Sequence, residues 1–491
     1  MRRRIRNVFW GCIGAAFFAL GICFITNLLD PGYAYSKNKE FMEDSHRMDV
    51  LFFGNSHMGN AVYPMELWRN QGIVSYNLAG FGHRIASTYW VMKNALDEAQ
   101  PKLVVIDCHS LYFDEKMGSK EMLHSHTDAM PLNTNKLRMI GDLVDDPKDR
   151  LEFIWDFAVY HDRWWDLDRE DFEKQINIQK GAEIAIDVVP PKEMAQRPME
   201  ISTVETVSIT YLRRMIEECE SRDIQVLLTY LPFPASEEEW QEALCAERIA
   251  AEYGIDCINF LELPVVDLAV DCSDRNSHLN GSGARKVTAY LGQYIVEHYD
   301  IPDHRGEEAF LDWEEDYKRY TNYKLEVMGE LESLDKYWMM CADPAFDCCI
   351  YVDGGADIWR LSEMYPLLVD NISGGRAEKL AEAAASRYDY FLLIDRQENL
   401  CLEAVGEESL TADCSFGKIR YEMDEAGERI LHLEGSEENY LKESSQGNKA
   451  AVQVIVMHTQ DGSIANVKRF DSRLAVFQPE SGVESDRNDG G

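Results

Sequence analysis

The chain has 491 residues, 45% of them hydrophobic and 11% aromatic, which is the composition of a globular protein and not of a disordered one. It carries 87 acidic against 49 basic side chains, a net charge of −38. A surface that acidic repels phosphate backbones and argues against nucleic acid as a partner, and the length exceeds one ordinary core, so two folded domains plus an anchor are expected.

Arg2, Arg3, Arg4 and Arg6 precede an uncharged, mostly apolar run over residues 8–29, long enough to cross a bilayer as one helix. Asp30 and Pro31 end it. The arginine excess predicts a basic cytoplasmic stub and transmembrane anchor over residues 1–30, with everything after Pro31 outside the cytoplasm. A cleaved signal peptide is the rival, since Gly32 and Ala34 loosely match a cleavage site. The apolar run is longer than a signal-peptide core, which favours an uncleaved single-pass anchor in the cell membrane.

From Asp49 onward, strand-like and helix-like segments alternate. Residues 50–53 form a short apolar run ending in Gly54, and 74–78 form a second, ending in Ala79-Gly80. A helix over 84–100 is stopped by Pro101, and 103–106 reads as a buried strand. A helix over 204–223 leads into a strand over 224–230. A helix over 236–253, ended by Gly254, leads into a strand over 255–260. The last helix covers 283–299, with Ala284, Val287, Leu291 and Ile295 along one face. Strands alternating with helices predict a parallel sheet covered on both faces, with chemistry at the carboxyl ends of its strands.

This domain spans residues 45–300, and a long insertion at about 112–200 interrupts its alternation. An insertion of that length is more often functional than a plain loop. A charged, helical linker over 301–338 precedes a smaller β-rich (α+β) accessory domain over 339–477, with strand-like runs at 349–352, 391–394 and 452–456 and a helix near 376–387. The polar tail, 478–491, reads as disordered. Twelve cysteines show no paired spacing, and several lie in apolar runs as small buried hydrophobes. His57, His83, His124 and His126 have no supporting carboxylate or cysteine pattern. Neither a metal nor a cofactor is expected.

Two blocks carry chemistry. The first strand ends in Gly54-Asn55-Ser56-His57, a tight turn that exposes a serine above the sheet, with the Ser56 N–H able to face an oxyanion. Such a serine also caps helices, so the turn alone is weak. The second block, from Asp271 through Asp274 to His278, follows the last strand. An acid shortly before a histidine can hold its imidazole in one tautomer while the other nitrogen faces a serine.

Together the blocks resemble the SGNH/GDSL hydrolase superfamily over residues 48–299. The resemblance implies a flavodoxin-like three-layer domain with a parallel sheet, Ser56 as nucleophile and His278 as base. Arg275 stands three before His278, so the acid is Asp274, four before, or Asp271, seven before; the nearer is favoured. The family's glycine block resembles Asn77-Leu78-Ala79-Gly80-Phe81-Gly82, which makes Gly80 and Gly82 oxyanion donors beside Ser56. Where the family has a Gly-x-Asn-Asp block, this chain has Asp107-Cys108-His109-Ser110. Either His109 or Ser110 donates instead, or the hole has fewer donors.

That departure and the anchor resemble a subgroup of extracytoplasmic SGNH proteins that work with membrane-bound O-acyltransferases, such as the teichoic-acid D-alanylation and alginate-type O-acetylation proteins. The resemblance implies O-acyl, and specifically acetyl, transfer to a cell-surface polysaccharide or polymer through an acyl-Ser56 intermediate. A surface-glycan esterase with the same triad is the alternative, and a non-catalytic glycan-binding scaffold is a third reading. His161 and Trp164, in the aromatic block of the insertion, suit sugar recognition by stacking and hydrogen bonding, or a hydrophobic cap on the core.

Overall fold

The computed structural model describes residues 10, 13–14, 16–18, 20–22, 24–25, 28–29, 33–155, 157–167, 177–199, 202–275, 278–356, 358–434, 439–441 and 451–470. The chain divides into two compact units. One holds Met1–Glu183, Ala195–Pro264 and Thr288–Trp313; the other holds Ile184–Met194, Val265–Val287 and Glu314–Gly491.

The first unit is built on a parallel sheet of β1 (Val50–Phe53), β2 (Ser75–Asn77), β3 (Leu103–Asp107), β4 (Gln225–Tyr230) and β5 (Asp256–Asn259), in the order β2-β1-β3-β4-β5. All four residues of β1 are fully buried, and successive side chains point to opposite faces, so both faces of the sheet are covered. That is the expected α/β arrangement. Its strand order is the doubly wound, flavodoxin-like one, whose switch point lies between β1 and β3.

The helices of this unit begin and end where local chemistry dictates. Among them are α1 (Ser56–Ala61), α2 (Pro64–Gln71), α3 (Ile85–Glu98), α4 (Val207–Glu220) and α5 (Glu237–Tyr253). Pro64 opens α2, and Gly72 closes it at φ +70°. Thr206 caps α4 by accepting the Ile209 N–H, while Ser236 and Glu239 form a reciprocal capping box on α5. Helix α5 ends at Gly254 in the left-handed conformation, as its sequence predicts. Within the insertion, helices Lys120–Thr127 and Thr134–Leu143 bury Leu123, Met139, Ile140 and Leu143, and a third helix, Pro147–Glu152, stays at the surface.

The expected membrane span over 8–29 is interrupted by positions that lie outside the described residues. Among the described residues no helix is long and apolar enough to cross a membrane. The polar tail over 478–491 lies outside them too.

The second unit carries an antiparallel sheet of β6 (Phe346–Val352), β7 (Tyr390–Asp395), β8 (Leu400–Val405), β12 (Val452–His458) and β13 (Ile464–Phe470), in the order β13-β12-β6-β7-β8. A three-stranded antiparallel sheet is formed by β9 (Leu410–Cys414), β10 (Gly417–Met423) and β11 (Arg429–Leu433). Alternate residues of β6 serve two cores. Cys348, Ile350 and Val352 meet Trp338 and Leu368 of helices Leu334–Cys341 and Met364–Ser373, whereas Cys349 and Tyr351 meet Ile419 and Tyr421 of β10. Both faces are dry, which is why these strands read as unbroken apolar runs.

The helix expected near 376–387 is shorter, Leu380–Ser386, and Met364–Ser373 is an additional one. Pro366 lies in the first turn of the latter, where a missing N–H costs nothing.

One buried ion cluster holds this unit. The carboxylate of fully buried Asp343 accepts from Lys324 Nζ at 2.8 Å and lies 3.3 Å from Arg285 Nη1. Burial alone would raise its pKa, but the two cations outweigh burial and hold the carboxyl well below the usual range. Asp343→Asn should take the countercharge away from buried Lys324 and Arg285 and cost about 3–5 kcal/mol, read by chemical denaturation at neutral pH.

Candidate active site

The chain leaves β1 at a crowded turn. A Cβ on Gly54 would fall 2.9 Å from the Cβ atoms of both Asp107 and Met58, so a side chain is excluded there. Asn55 follows in extended conformation and caps α1, its Oδ1 accepting the His57 N–H at 2.9 Å. Ser56 is then the first residue of α1, half-buried, with its carbonyl accepting from Asn60 Nδ2 at 2.9 Å. The capping role that a serine in this turn often fills belongs to Asn55.

The block after β2 is tied to this turn. Asn77 Nδ2 donates to the carbonyls of Met58 and Val62, both at 2.9 Å. Gly80 donates its N–H to the Gly54 carbonyl at 3.1 Å. In this conformation Gly80 therefore fastens the two turns together and does not face an oxyanion. Gly82 sits at φ +61°, where a side chain would be strained, and a Cβ on it would overlap Met122 Sδ.

Buried cationic and imidazole groups lie beneath the same block. Lys37 Nζ donates to the Ala79 carbonyl at 2.7 Å; burial lowers its pKa to about 8, with Glu183 opposing. The His83 ring packs where a Cβ on Gly80 would be. Burial, reinforced by Lys37, pushes His83 down to about 3, and the T-shaped partner His126, 4.4 Å away, is pushed down by the same causes and by His83. These imidazoles are neutral packing elements. His124 pairs with Asp128 at 2.9 Å and stacks on Phe153 at 3.6 Å.

The loop after β3 replaces the asparagine block that the family resemblance leads one to expect. The N–H groups of Ser110 and Tyr112 donate to Glu242 Oε2 and Oε1, each at 2.9 Å. Ser110 stands at φ +76°, and its hydroxyl accepts from Asn55 Nδ2 at 3.4 Å. The His109 N–H is engaged by the Asp107 carboxylate. The backbone N–H groups of both His109 and Ser110 are thus engaged by carboxylates. The His109 ring lies on that of His57, 3.9 Å between centroids, and Phe233 meets both edge-on at 5.1 Å and 4.7 Å.

Asp107 and Glu242 were not singled out as functional groups by the sequence, though both are buried acids in this loop's surroundings. Burial is the main cause that raises each to about 7, against the hydrogen bonds they accept. The signal for Glu242 is legible in retrospect. With Ala246 and Ile249 it occupies the i, i+4, i+7 stripe of α5, which is buried, and an acid there needs a reason.

The block from Asp271 to His278 belongs to the second unit. It is a closed loop: Cys272 bridges Leu279, and Ser273 donates its N–H and its hydroxyl to the His278 carbonyl at 2.9 and 3.2 Å. Asn276 and Ser277 lie outside the described residues. Inside the loop, Asp274 Oδ2 lies 2.5 Å from His278 Nδ1. That contact orients the ring with Nδ1 toward the carboxylate. Asp271 is employed otherwise. Fully buried, it accepts from Lys286 Nζ at 2.6 Å and from the Asp267 N–H at 2.8 Å.

His161 and Trp164 lie on the 3-10 turn His161–Trp165, about half exposed. Arg163 of that turn donates to the Leu29 carbonyl at 2.9 Å. Among the described residues, no group of three or more His, Cys, Asp and Glu side chains is arranged to hold a metal ion.

No family model and no curated protein matches the chain. A solved structure, a GDSL-like lipase from Bacteroides thetaiotaomicron VPI-5482, aligns over 54% of this chain and 98% of its own length, with 13% identity and a TM-score of 0.28. The assignment of the fold rests on the strand order and register described above.

The two loop acids should separate on substitution. Asp274→Asn should remove activity while leaving stability near that of the wild type, since the side chain is only partly buried. Asp271→Asn should instead lower stability by about 1–3 kcal/mol, because it weakens a buried anchor. Thermal melts and turnover of an activated acyl ester, measured side by side, check this.

Proposed function

We propose that the chain is an SGNH-type serine acyl-ester enzyme that passes an acyl group to a cell-surface glycan or polymer. The observation that carries the reading is the Gly54-Asn55-Ser56 turn: a serine relieved of capping, at the carboxyl end of β1, beside the switch point of a doubly wound sheet. The His278–Asp274 contact supports it independently. In the reaction, His278 Nε2 takes the Ser56 proton as Oγ attacks the ester carbonyl, and the same proton goes to the departing alkoxide. An acyl-Ser56 ester remains. The acceptor hydroxyl then gives its proton to His278, attacks the acyl carbon and releases Ser56.

In this reading the Ser56 N–H and Gly82 serve as oxyanion donors, with the His109 side chain near them in place of the family asparagine. A sparse donor set favours slow hydrolysis, and an acceptor bound close to the acyl carbon gains by proximity. The arginine-flanked apolar run over 8–29 would hold the enzyme at the outer membrane face, within reach of a membrane-bound O-acyltransferase as acyl donor. His161 and Trp164 would contact the glycan.

The test is to load the protein with a labelled acetyl donor and follow loss of label with and without purified surface polysaccharide. Faster loss with polysaccharide, and label recovered on it, is the expected result. Ser56→Ala and His278→Ala should each abolish loading, and the double variant should lose little more than either. Equal rates, with all label released as acetate, would leave an esterase.

A further inference from the structure

We infer that Glu242 is a positioning residue for the nucleophile turn, holding the loop after β3 so that the Ser110 hydroxyl stays against Asn55, the cap of the helix that begins at Ser56. The inference rests on Ser56 being the nucleophile. Its grounds are geometric and lie within the first unit. The two oxygens of one carboxylate take two backbone N–H groups of the loop, Ser110 and Tyr112, each at 2.9 Å, and Oε2 also accepts the Tyr230 hydroxyl at 3.0 Å. Glu242 is 3% exposed, so no water competes for these bonds.

What the carboxylate holds is a conformation the chain would not adopt unaided. Ser110 stands at φ +76°, a region that costs a non-glycine residue of order 1–3 kcal/mol unless its surroundings enforce it. The enforced position has a use. Ser110 Oγ accepts from Asn55 Nδ2, and the other oxygen of the same amide caps α1 through the His57 N–H. Fixing Ser110 therefore fixes which way the Asn55 amide faces, and with it the first turn of α1 that carries Ser56. The loop also carries His109, whose ring lies on that of His57.

The groups that face Glu242 decide how the clamp responds to pH. They are Asp107 from β3, Tyr230 from β4, Glu239 from its own helix, and the Ser110 and Tyr112 N–H groups. Burial, the largest cause, lifts Glu242 to about 7, with Glu239 adding to it. The ionised form, present above that value, is the one with acceptor capacity for all three donors. Protonation below it takes one acceptor site away.

The experiment uses a fluorophosphonate probe on the full-length protein, with the labelling rate of Ser56 read by peptide mass spectrometry and the melting temperature recorded alongside. Glu242→Gln keeps the shape but turns an NH₂ toward a backbone N–H. It should slow labelling by about 10- to 100-fold, the scale of a small misplacement of a reacting group. Its melting temperature should stay close to wild type, because a buried charge is removed together with a hydrogen bond. The ratio of wild-type to variant rate should rise as pH passes upward through about 7. A purely structural role predicts a constant ratio. Equal labelling rates in the two proteins would overturn the positioning role. A wild type that the probe never labels at Ser56, with the protein folded, would overturn the nucleophile assignment and with it any positioning of that serine.

Discussion

Where β1 leaves the sheet beside β3 there is no room for a side chain, and the arrangement around Ser56 follows from that shortage of space. Gly54 lets the ends of the two strands approach, with Asp107 and Met58 filling the volume a Cβ would need. Because the turn is so tight, its carbonyl is presented to the Gly80 N–H and its next residue, Asn55, is placed to cap α1 and to reach Ser110. The loops after β1, β2 and β3 are thereby bonded to one another at the switch point. A doubly wound sheet offers a crevice at that place, and here the loops beside it are joined by backbone and amide contacts.

The cost of the network is borne by buried polar groups. Among the described residues, Asp107 Oδ2 and both ring nitrogens of His83 are buried with no hydrogen-bond partner, and Asp107 and Glu242 are two acids shifted upward by burial. A folded state that prefers both acids protonated is most stable at low pH and loses that share of stability as pH rises from about 4 toward 7. Keeping such groups beside the Ser56 turn carries a desolvation cost, and that is a sign of function more than of stability. The second unit uses buried charge differently. Asp343 there is fully matched by Lys324 and Arg285, with a third bond from the Ala345 N–H, and is a fastening.

Much of the sheet is legible in the sequence, because parallel strands with both faces buried read as unbroken apolar runs between turn signals. Residues 50–53 and the capped helix starting at Ser236 fell within a residue or two of their observed limits. What the sequence could not convey was long-range bonding. Nothing local distinguishes Gly80 as a donor to Gly54, or reveals that Asn55 and not Ser56 performs the capping. Glu242 lies more than a hundred residues from Ser110, and only its position on the apolar face of α5 hints at a buried partner. The acid of the second block was open between two aspartates that are three residues apart. Lys286 is bonded to Asp271, and His278 meets Asp274, contacts that no local pattern conveys.

The central claim is that Ser56 carries an acyl group during turnover. The most direct measurement is acid quenching of the protein during reaction with an activated acetyl ester, followed by peptide mapping of the acetyl group. The account predicts one stoichiometric acetyl ester on the Ser56 peptide, absent from Ser56→Ala, with lysine acetylation no greater than in that variant. Turnover that persists in Ser56→Ala, or an acetyl group found at another serine, would contradict it.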